Sequence, residues 1–122
     1  DAEAGEEVLN YLGSELIFNA CGKCTFNQSA SLLKQSRLVF THDTGLMHVA
    51  AAFKKKTYSI WGNTIPLFGM YPYKTPFVVL ENSTLKCRPC SKIGYKRCPL
   101  GHFKCMNDIQ FNFELRELRR RK

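Results

Sequence analysis

Residues 37–53 read RLVFTHDTGLMHVAAAF, and this stretch decides the fold. The run 37–42 is mostly apolar and short, which predicts a buried β-strand. The run 44–53 continues with a glycine, a histidine and small apolar residues, which predicts a helix that packs closely on a sheet. A strand that leads directly into a helix is typical of a βαβ unit, so the stretch predicts an α/β fold with a parallel sheet.

The rest of residues 1–82 shows the same alternation of helices and strands. Apolar periodicity predicts two further helices, the second capped by Thr25, and three further strands: helices at 2–12 and 25–36, and strands at 15–20, 56–62 and 76–81. Right-handed crossovers would place helices on both faces of the sheet and give a Rossmann-like layer. Because the chain opens on a helix, we expect a strand to precede it in a longer protein.

Charge is distributed unevenly along the chain. Residues 1–85 carry seven Lys/Arg and seven Asp/Glu. Residues 86–122 carry eleven Lys/Arg and three Asp/Glu, and they account for the net charge of +8. The basic end indicates either contact with an anionic partner or a solvated tail. We expect one domain with an α/β body at 1–82, a cysteine-rich basic loop at 83–107, and a C-terminal helix with a basic tail at 108–122.

Asp43, Thr44, Gly45 and His48 form a polar group at the predicted strand-to-helix junction. Ligands of open parallel sheets bind beyond the carboxyl ends of the strands, and the first turn of a helix offers unpaired N–H groups to anions. Gly45 would let a phosphate approach the backbone, and His48 would lie on the same helix face as Thr44. Asp43 is interpreted as a side-chain cap of the helix. The alternative is an ordinary capped helix with a surface histidine.

Six cysteines are many for a chain of 122 residues. Four of them, Cys87, Cys90, Cys98 and Cys105, lie within the basic loop, where they could bind a structural Zn²⁺, remain free thiols or form two disulfides. His102 is a substitute zinc ligand. The apolar body does not need disulfides for stability, which favours a reducing compartment.

Three motifs, in order, carry a resemblance to a known family. HDTGLMHVAAAF at 42–53 is followed by WGNTIPLFGMYPY at 61–73 and by CRPCSKIGYKRCPLGHFKCMNDI at 87–109. Over about residues 1–110 the chain resembles the C-terminal part of family 9 glycosyltransferases, the ADP-heptose:lipopolysaccharide heptosyltransferases. It departs from the family pattern where GMYPY replaces Gly-Pro-Tyr and where Asn63 replaces a usual proline.

The resemblance implies a GT-B fold, in which two Rossmann-like domains face a cleft and this chain forms the C-terminal, nucleotide-sugar-binding half. It implies a set of residues around the diphosphate and sugar of ADP-heptose: Asp43, Thr44, Gly45, Leu46 and His48. Cys24 would lie near the base, Glu3 would meet the ribose, and residues 62–66 would border the cleft.

The implied reaction is an inverting transfer of heptose to the lipopolysaccharide inner core that requires no cofactor. The family's general base belongs to the N-terminal domain, so we expect no catalytic residue here and binding without turnover by this chain alone. The expected partners are the nucleotide-sugar, the core acceptor, the N-terminal domain and an anionic membrane surface, with no nucleic acid. The expected location is the cytoplasm, at the inner face of the inner membrane. The alternative is a zinc-stabilised basic nucleic-acid-binding module, which would not explain the βαβ pattern.

Overall fold

A computed structural model describes residues 2–113 and 115–118. The chain divides into two compact units, residues 1–32 and residues 33–122. Within the described ranges no helix combines the length and the apolar character that a membrane crossing requires.

The first unit contains helix α1 (Ala2–Leu12) and most of helix α2 (Phe26–Gln35). The start of α2 is a capping box: the Thr25 N–H donates to Gln28 Oε1 at 2.8 Å, and the Gln28 N–H donates to Thr25 Oγ1 at 3.3 Å. The predicted helix and its cap at Thr25 are therefore confirmed.

The strand predicted at residues 15–20 is wrong. Ser14 closes a turn here, since its Oγ accepts from the Leu16 N–H at 3.3 Å and its carbonyl accepts from the Ile17 N–H at 3.2 Å. Leu16 and Phe18 are 96% and 76% exposed. A short apolar run predicts burial only if another element covers it, and periodicity alone does not show whether one does.

The second unit is built on a three-stranded parallel sheet of β1 (Leu38–His42), β2 (Lys56–Trp61) and β3 (Phe77–Glu81), in the order β1-β2-β3. Helix α3 (Gly45–Ala52) connects β1 to β2, and a 3₁₀ turn (Pro66–Phe68) lies between β2 and β3. The strands predicted at 37–42, 56–62 and 76–81 are confirmed, as is the Rossmann-like α/β class.

Different parts of the chain pack on the two faces of the sheet. On one face Tyr58 packs with Leu80 and Ile109, and the Phe40 ring stacks on Tyr58 with centroids 4.6 Å apart. Strand alternation turns Thr57 and Ser59, both fully buried, to the opposite face. Helix α3 packs on β1 and β2 there, and Ala50 and Ala51 on this helix are buried.

Two short helices, α4 (Lys104–Asn107) and α5 (Leu115–Leu118), follow the sheet. The helix predicted after residue 108 is observed only as α5, because residues 109–113 are not helical. The Phe113 ring instead packs at 5.3 Å from Tyr58 and 5.4 Å from Phe40. Glu114 and the predicted basic tail, residues 119–122, lie outside the described residues.

Candidate functional site

The junction between β1 and α3 leaves backbone donors unused. Thr44 is the N-cap of α3 with extended backbone angles, φ −143° and ψ 165°, and its carbonyl accepts the Met47 N–H at 3.0 Å. The Gly45 and Leu46 N–H groups donate to no other residue in the described ranges. The Thr44 hydroxyl does not cap the helix either, since its Oγ1 lies 3.4 Å from Thr41 Oγ1. Two first-turn amides are therefore available to an acceptor from outside the chain.

The space on the side-chain side of Gly45 is open. A Cβ built on Gly45 meets no atom within 4 Å, so packing within the chain does not require glycine here. Leu46 is 38% exposed and His48 is exposed, one helical turn beyond Thr44. Free amides at a helix start with an imidazole on the same face are an arrangement that suits an anion.

Asp43 does not have the capping role that the sequence suggested. The N-cap is Thr44, one residue later, and the Asp43 carboxylate makes no hydrogen bond to α3 within the described chain. Desolvation raises the pKa of the Asp43 carboxyl, and the charge of nearby His48 partly offsets that rise. Asp43 is thus a partly desolvated acid beside an imidazole, a combination typical of binding sites.

A cavity of about 270 Å³ lies at this edge of the sheet. His42, Asp43 and Ile60 line it from the ends of β1 and β2, and residues 62–64 also contribute. The placement of residues 62–66 at an interdomain cleft stays a prediction. Its remaining wall comes from the cysteine-rich loop and α4, through Ile93, Tyr95, Lys96, Phe103 and Met106. All three motifs of the sequence therefore meet in one cavity, although spacing along the chain gave no signal for Tyr95 or Lys96.

Arg88 fastens the cysteine-rich loop to the sheet. Its side chain is 4% exposed, and Nη2 lies 2.9 Å from Glu81 Oε2. Its guanidinium also donates to four backbone carbonyls, those of Trp61, Gly62, Thr64 and Asn82. Arg88 lies in the basic end for which the sequence indicated contact with an anionic partner, and its guanidinium does not offer that contact, because it is buried and fully partnered.

Asn63 forms a second attachment of the loop. Its Nδ2 donates to the Tyr95 carbonyl at 2.8 Å, and its own carbonyl accepts the Cys90 N–H at 2.9 Å. Gly94 lies so close that a Cβ there would be 2.4 Å from Asn63 Oδ1. The residue that departs from the family pattern therefore holds the loop in place.

All six cysteines are free thiols, so the disulfide alternative is not observed. Cys87, Cys90 and Cys98 line a second cavity of about 540 Å³, and Cys87 Sγ lies 3.9 Å from His102 Nε2. Nevertheless, in residues 2–113 and 115–118 no group of three or more His, Cys, Asp or Glu is placed to hold a metal ion. The zinc site at Cys87, Cys90, Cys98 and Cys105 stays a prediction.

The thiols differ in acidity. Backbone N–H groups, above all that of Phe103, lower the pKa of the Cys98 thiol. Desolvation raises the pKa of Cys90 and of Cys105, and the charges of neighbouring cysteines raise both further. Cys98 is therefore the most readily ionised thiol of these three.

Cys24 and Glu3 belong to the first unit. Cys24 is half-buried in the loop that precedes Thr25, and Glu3 lies exposed in the first turn of α1. Their contacts with the base and the ribose stay predictions.

The second unit combines a parallel sheet, exposed helix amides beyond its carboxyl edge and a cavity walled by a loop. These features define the ligand-binding layer of a Rossmann-like α/β protein. The family model described as glycosyltransferase family 9 (heptosyltransferase) matches residues 1–101, and the chain belongs to this family.

Known relatives carry the same family name. The chain is 35% identical over 92 residues to lipooligosaccharide heptosyltransferase 2 of Campylobacter jejuni serotype O:2. That alignment covers 75% of the chain and 28% of the Campylobacter protein. It is 29% identical over 123 residues to lipooligosaccharide heptosyltransferase 2 of Haemophilus influenzae. That alignment covers 97% of the chain and 34% of the Haemophilus protein. Lipopolysaccharide heptosyltransferase 2 of Escherichia coli K12 is 35% identical over 71 residues, and the alignment covers 56% of the chain and 20% of that protein.

The chain spans 28% and 34% of the lengths of the Campylobacter and Haemophilus proteins. No solved structure matches it significantly.

Proposed function

We propose that this chain is the donor-binding domain of an inverting heptosyltransferase that transfers heptose from ADP-heptose to the lipopolysaccharide inner core. Family membership and the names of the relatives support a glycosyltransferase of lipopolysaccharide biosynthesis. The observation that carries the donor-binding role is the pair of unpartnered amides, Gly45 and Leu46, at the carboxyl edge of the parallel sheet.

The diphosphate of the donor lies against these two amides in our proposal. The helix start supplies a partial positive charge, the Thr44 hydroxyl donates a further hydrogen bond, and His48 approaches from the same face. Preorganised donors of this kind stabilise charge that grows on a leaving nucleoside diphosphate as the glycosidic bond breaks, without a catalytic metal. Asp43, next to the amides, accepts hydrogen bonds from hydroxyl groups of the transferred sugar.

The remaining elements of the proposal concern the whole protein. The catalytic base lies in an N-terminal domain across a cleft, and the acceptor enters between the two. Exposed basic side chains of the cysteine-rich loop, Lys86, Lys92 and Arg97, favour peripheral contact with the anionic inner face of the inner membrane. The alternative of a zinc-stabilised nucleic-acid-binding module is less favoured, because the heptosyltransferase family model matches residues 1–101 and the buried Arg88 is not available to an anionic partner.

Calorimetric titration of the full-length protein with ADP tests the donor-binding role. We expect ADP binding that is weakened about tenfold or more by His48→Ala, whereas Asp43→Ala, which removes the proposed contact with the transferred sugar, should weaken the binding of ADP-heptose and not that of ADP. Asp108→Ala, which removes an exposed acid that does not line the cavity, should leave the dissociation constant unchanged. Absence of ADP binding by the wild-type protein, or equal binding by all three variants, would contradict the proposal.

A further inference from the structure

We infer that Lys96, on the cysteine-rich loop, binds the donor: its ammonium group contacts the phosphate nearest the transferred sugar. This inference rests on the proposed function and adds a specific contact to it. It assigns a donor-binding role to a loop whose basic residues the sequence indicated only as a general contact for an anionic partner.

The position of the cavity supports a contact between Lys96 and the donor. Lys96 and Asp43 line the same cavity of about 270 Å³. Asp43 is separated by Thr44 alone from the free amides of Gly45 and Leu46. A diphosphate that is held by those amides therefore has one end at the mouth of this cavity. The cavity is smaller than the roughly 300–1,000 Å³ of whole-ligand pockets, so it suits one part of a ligand, such as a sugar and its adjacent phosphate.

The positive charge of Lys96 also supports this contact. Lys96 is the one lysine or arginine among the residues that line the cavity. Its ammonium group forms no hydrogen bond or ion pair with the part of the chain that the structure describes. By contrast, the guanidinium of Arg88, in the same loop, forms an ion pair with Glu81 and donates hydrogen bonds to backbone carbonyls. A cation that lines a cavity without a partner in the described chain favours an anionic group of the ligand.

The shape of the remaining wall also supports the inference. Ile93, Tyr95 and Phe103 bring apolar and aromatic surface to the cavity and are 88%, 54% and 46% exposed. His42 and Asp43 bring polar groups from the opposite side. A sugar presents both a C–H face and hydroxyl edges, and this lining offers a partner to each.

The preorganisation of the loop supports it as well. The carbonyl of Tyr95, the residue directly before Lys96, accepts a hydrogen bond from Asn63 Nδ2 at 2.8 Å. Gly94 packs against the same asparagine, and Arg88 ties the start of the loop to the ends of β2 and β3. The backbone at Lys96 is therefore fixed relative to the sheet edge before any ligand binds, which reduces the entropic loss on binding.

The experiment compares ADP with AMP on the full-length protein by calorimetric titration. AMP lacks the second phosphate, which is the group that Lys96 contacts. We expect Lys96→Met to raise the dissociation constant of ADP about tenfold or more and to change that of AMP by less than about twofold. Lys96→Arg keeps the positive charge and should restore most of the affinity for ADP.

Lys92→Met is the matched control, since Lys92 is an exposed lysine of the same loop that does not line the cavity. It should bind both nucleotides as the wild type does. If the wild type does not bind ADP, the proposed function itself fails. If the wild type binds ADP and His48→Ala abolishes binding but Lys96→Met does not weaken it, the inference about Lys96 alone is overturned. An increase in the KM of the acceptor, with ADP affinity unchanged, would place the cation against the acceptor and would likewise overturn it.

Discussion

The Arg88 guanidinium lies 2.9 Å from the Glu81 carboxylate, and this ion pair joins the cysteine-rich loop to the end of β3. The same guanidinium donates to the carbonyls of Gly62 and Thr64, in the segment that follows β2. One buried side chain thus connects three segments around the candidate site. The loop is therefore part of the wall of the site, although its sequence shows neither helical nor strand periodicity.

Removal of the Arg88 side chain should destabilise the protein strongly. Arg88→Met leaves Glu81 and four carbonyls without their donor, and we expect the free energy of unfolding to fall by about 3–5 kcal/mol. Arg97→Met, at an exposed arginine of the same loop, should change it by less than about 0.5 kcal/mol. Urea titration of the two variants measures both values. Equal stability of the two variants would show that the buried ion pair does not hold the loop.

Gly45 should matter for binding and not for stability. A Cβ at this position meets no protein atom, and alanine is a better helix former than glycine. Gly45→Ala should therefore leave the free energy of unfolding unchanged or raise it by up to about 1 kcal/mol. The added methyl group would stand where the diphosphate approaches, so ADP affinity should fall about tenfold. A variant that is destabilised but binds ADP normally would contradict this explanation of the glycine.

Gly94 and Gly101 form a matched pair within the loop. Both have positive φ, +75° and +71°, but only Gly94 packs against a neighbour, Asn63. Alanine at Gly101 should cost about 1–2 kcal/mol from backbone strain alone. Alanine at Gly94 should cost more, because its Cβ would also displace the Asn63 side chain that holds the Tyr95 carbonyl. Thermal unfolding of the two variants distinguishes them, and equal losses would show that the contact with Asn63 contributes nothing.

The stability contribution of Asp43 should depend on pH. Desolvation raises the pKa of this carboxyl in the folded chain. An acid with a raised pKa contributes stability below its unfolded pKa, and the contribution is lost as the pH rises through the folded pKa. Asp43→Asn, which carries no charge at any pH, should therefore become more stable relative to the wild type between about pH 3 and pH 7. A difference that stays constant or reverses over this range would contradict the desolvation of Asp43.

The cysteines should react as free thiols of unequal acidity. Alkylation of the native protein near neutral pH should modify Cys98 before Cys90 or Cys105, because only the pKa of Cys98 is lowered. Mass spectrometry of the peptides gives the order. Zinc binding would instead protect these thiols together until a chelator is added, and that result would support the zinc prediction over free thiols.

The central βαβ unit was predictable because its signals are local. The apolar run before Asp43 and the small residues of α3 each determine one element, and both elements form where they were expected. The apolar run at 15–20 failed as a strand because burial depends on a neighbouring element, which the local sequence does not specify.

The site was predictable only in part. The helix start at Gly45 follows from the strand-to-helix transition, whereas the exact N-cap depends on backbone angles and moved from Asp43 to Thr44. Lys96 reaches the cavity because Arg88 ties its loop to the ends of β2 and β3 and because Asn63 holds the Tyr95 carbonyl. Neither contact gives a periodic signal in the sequence. Such contacts are set by tertiary packing, so they became visible only in the structure.

A crystal structure of the full-length protein with bound ADP tests the central claim most directly. The account predicts phosphate oxygens about 2.7–3.2 Å from the backbone nitrogens of Gly45 and Leu46. Nucleotide bound elsewhere, with both amides covered by other parts of the protein, would contradict it.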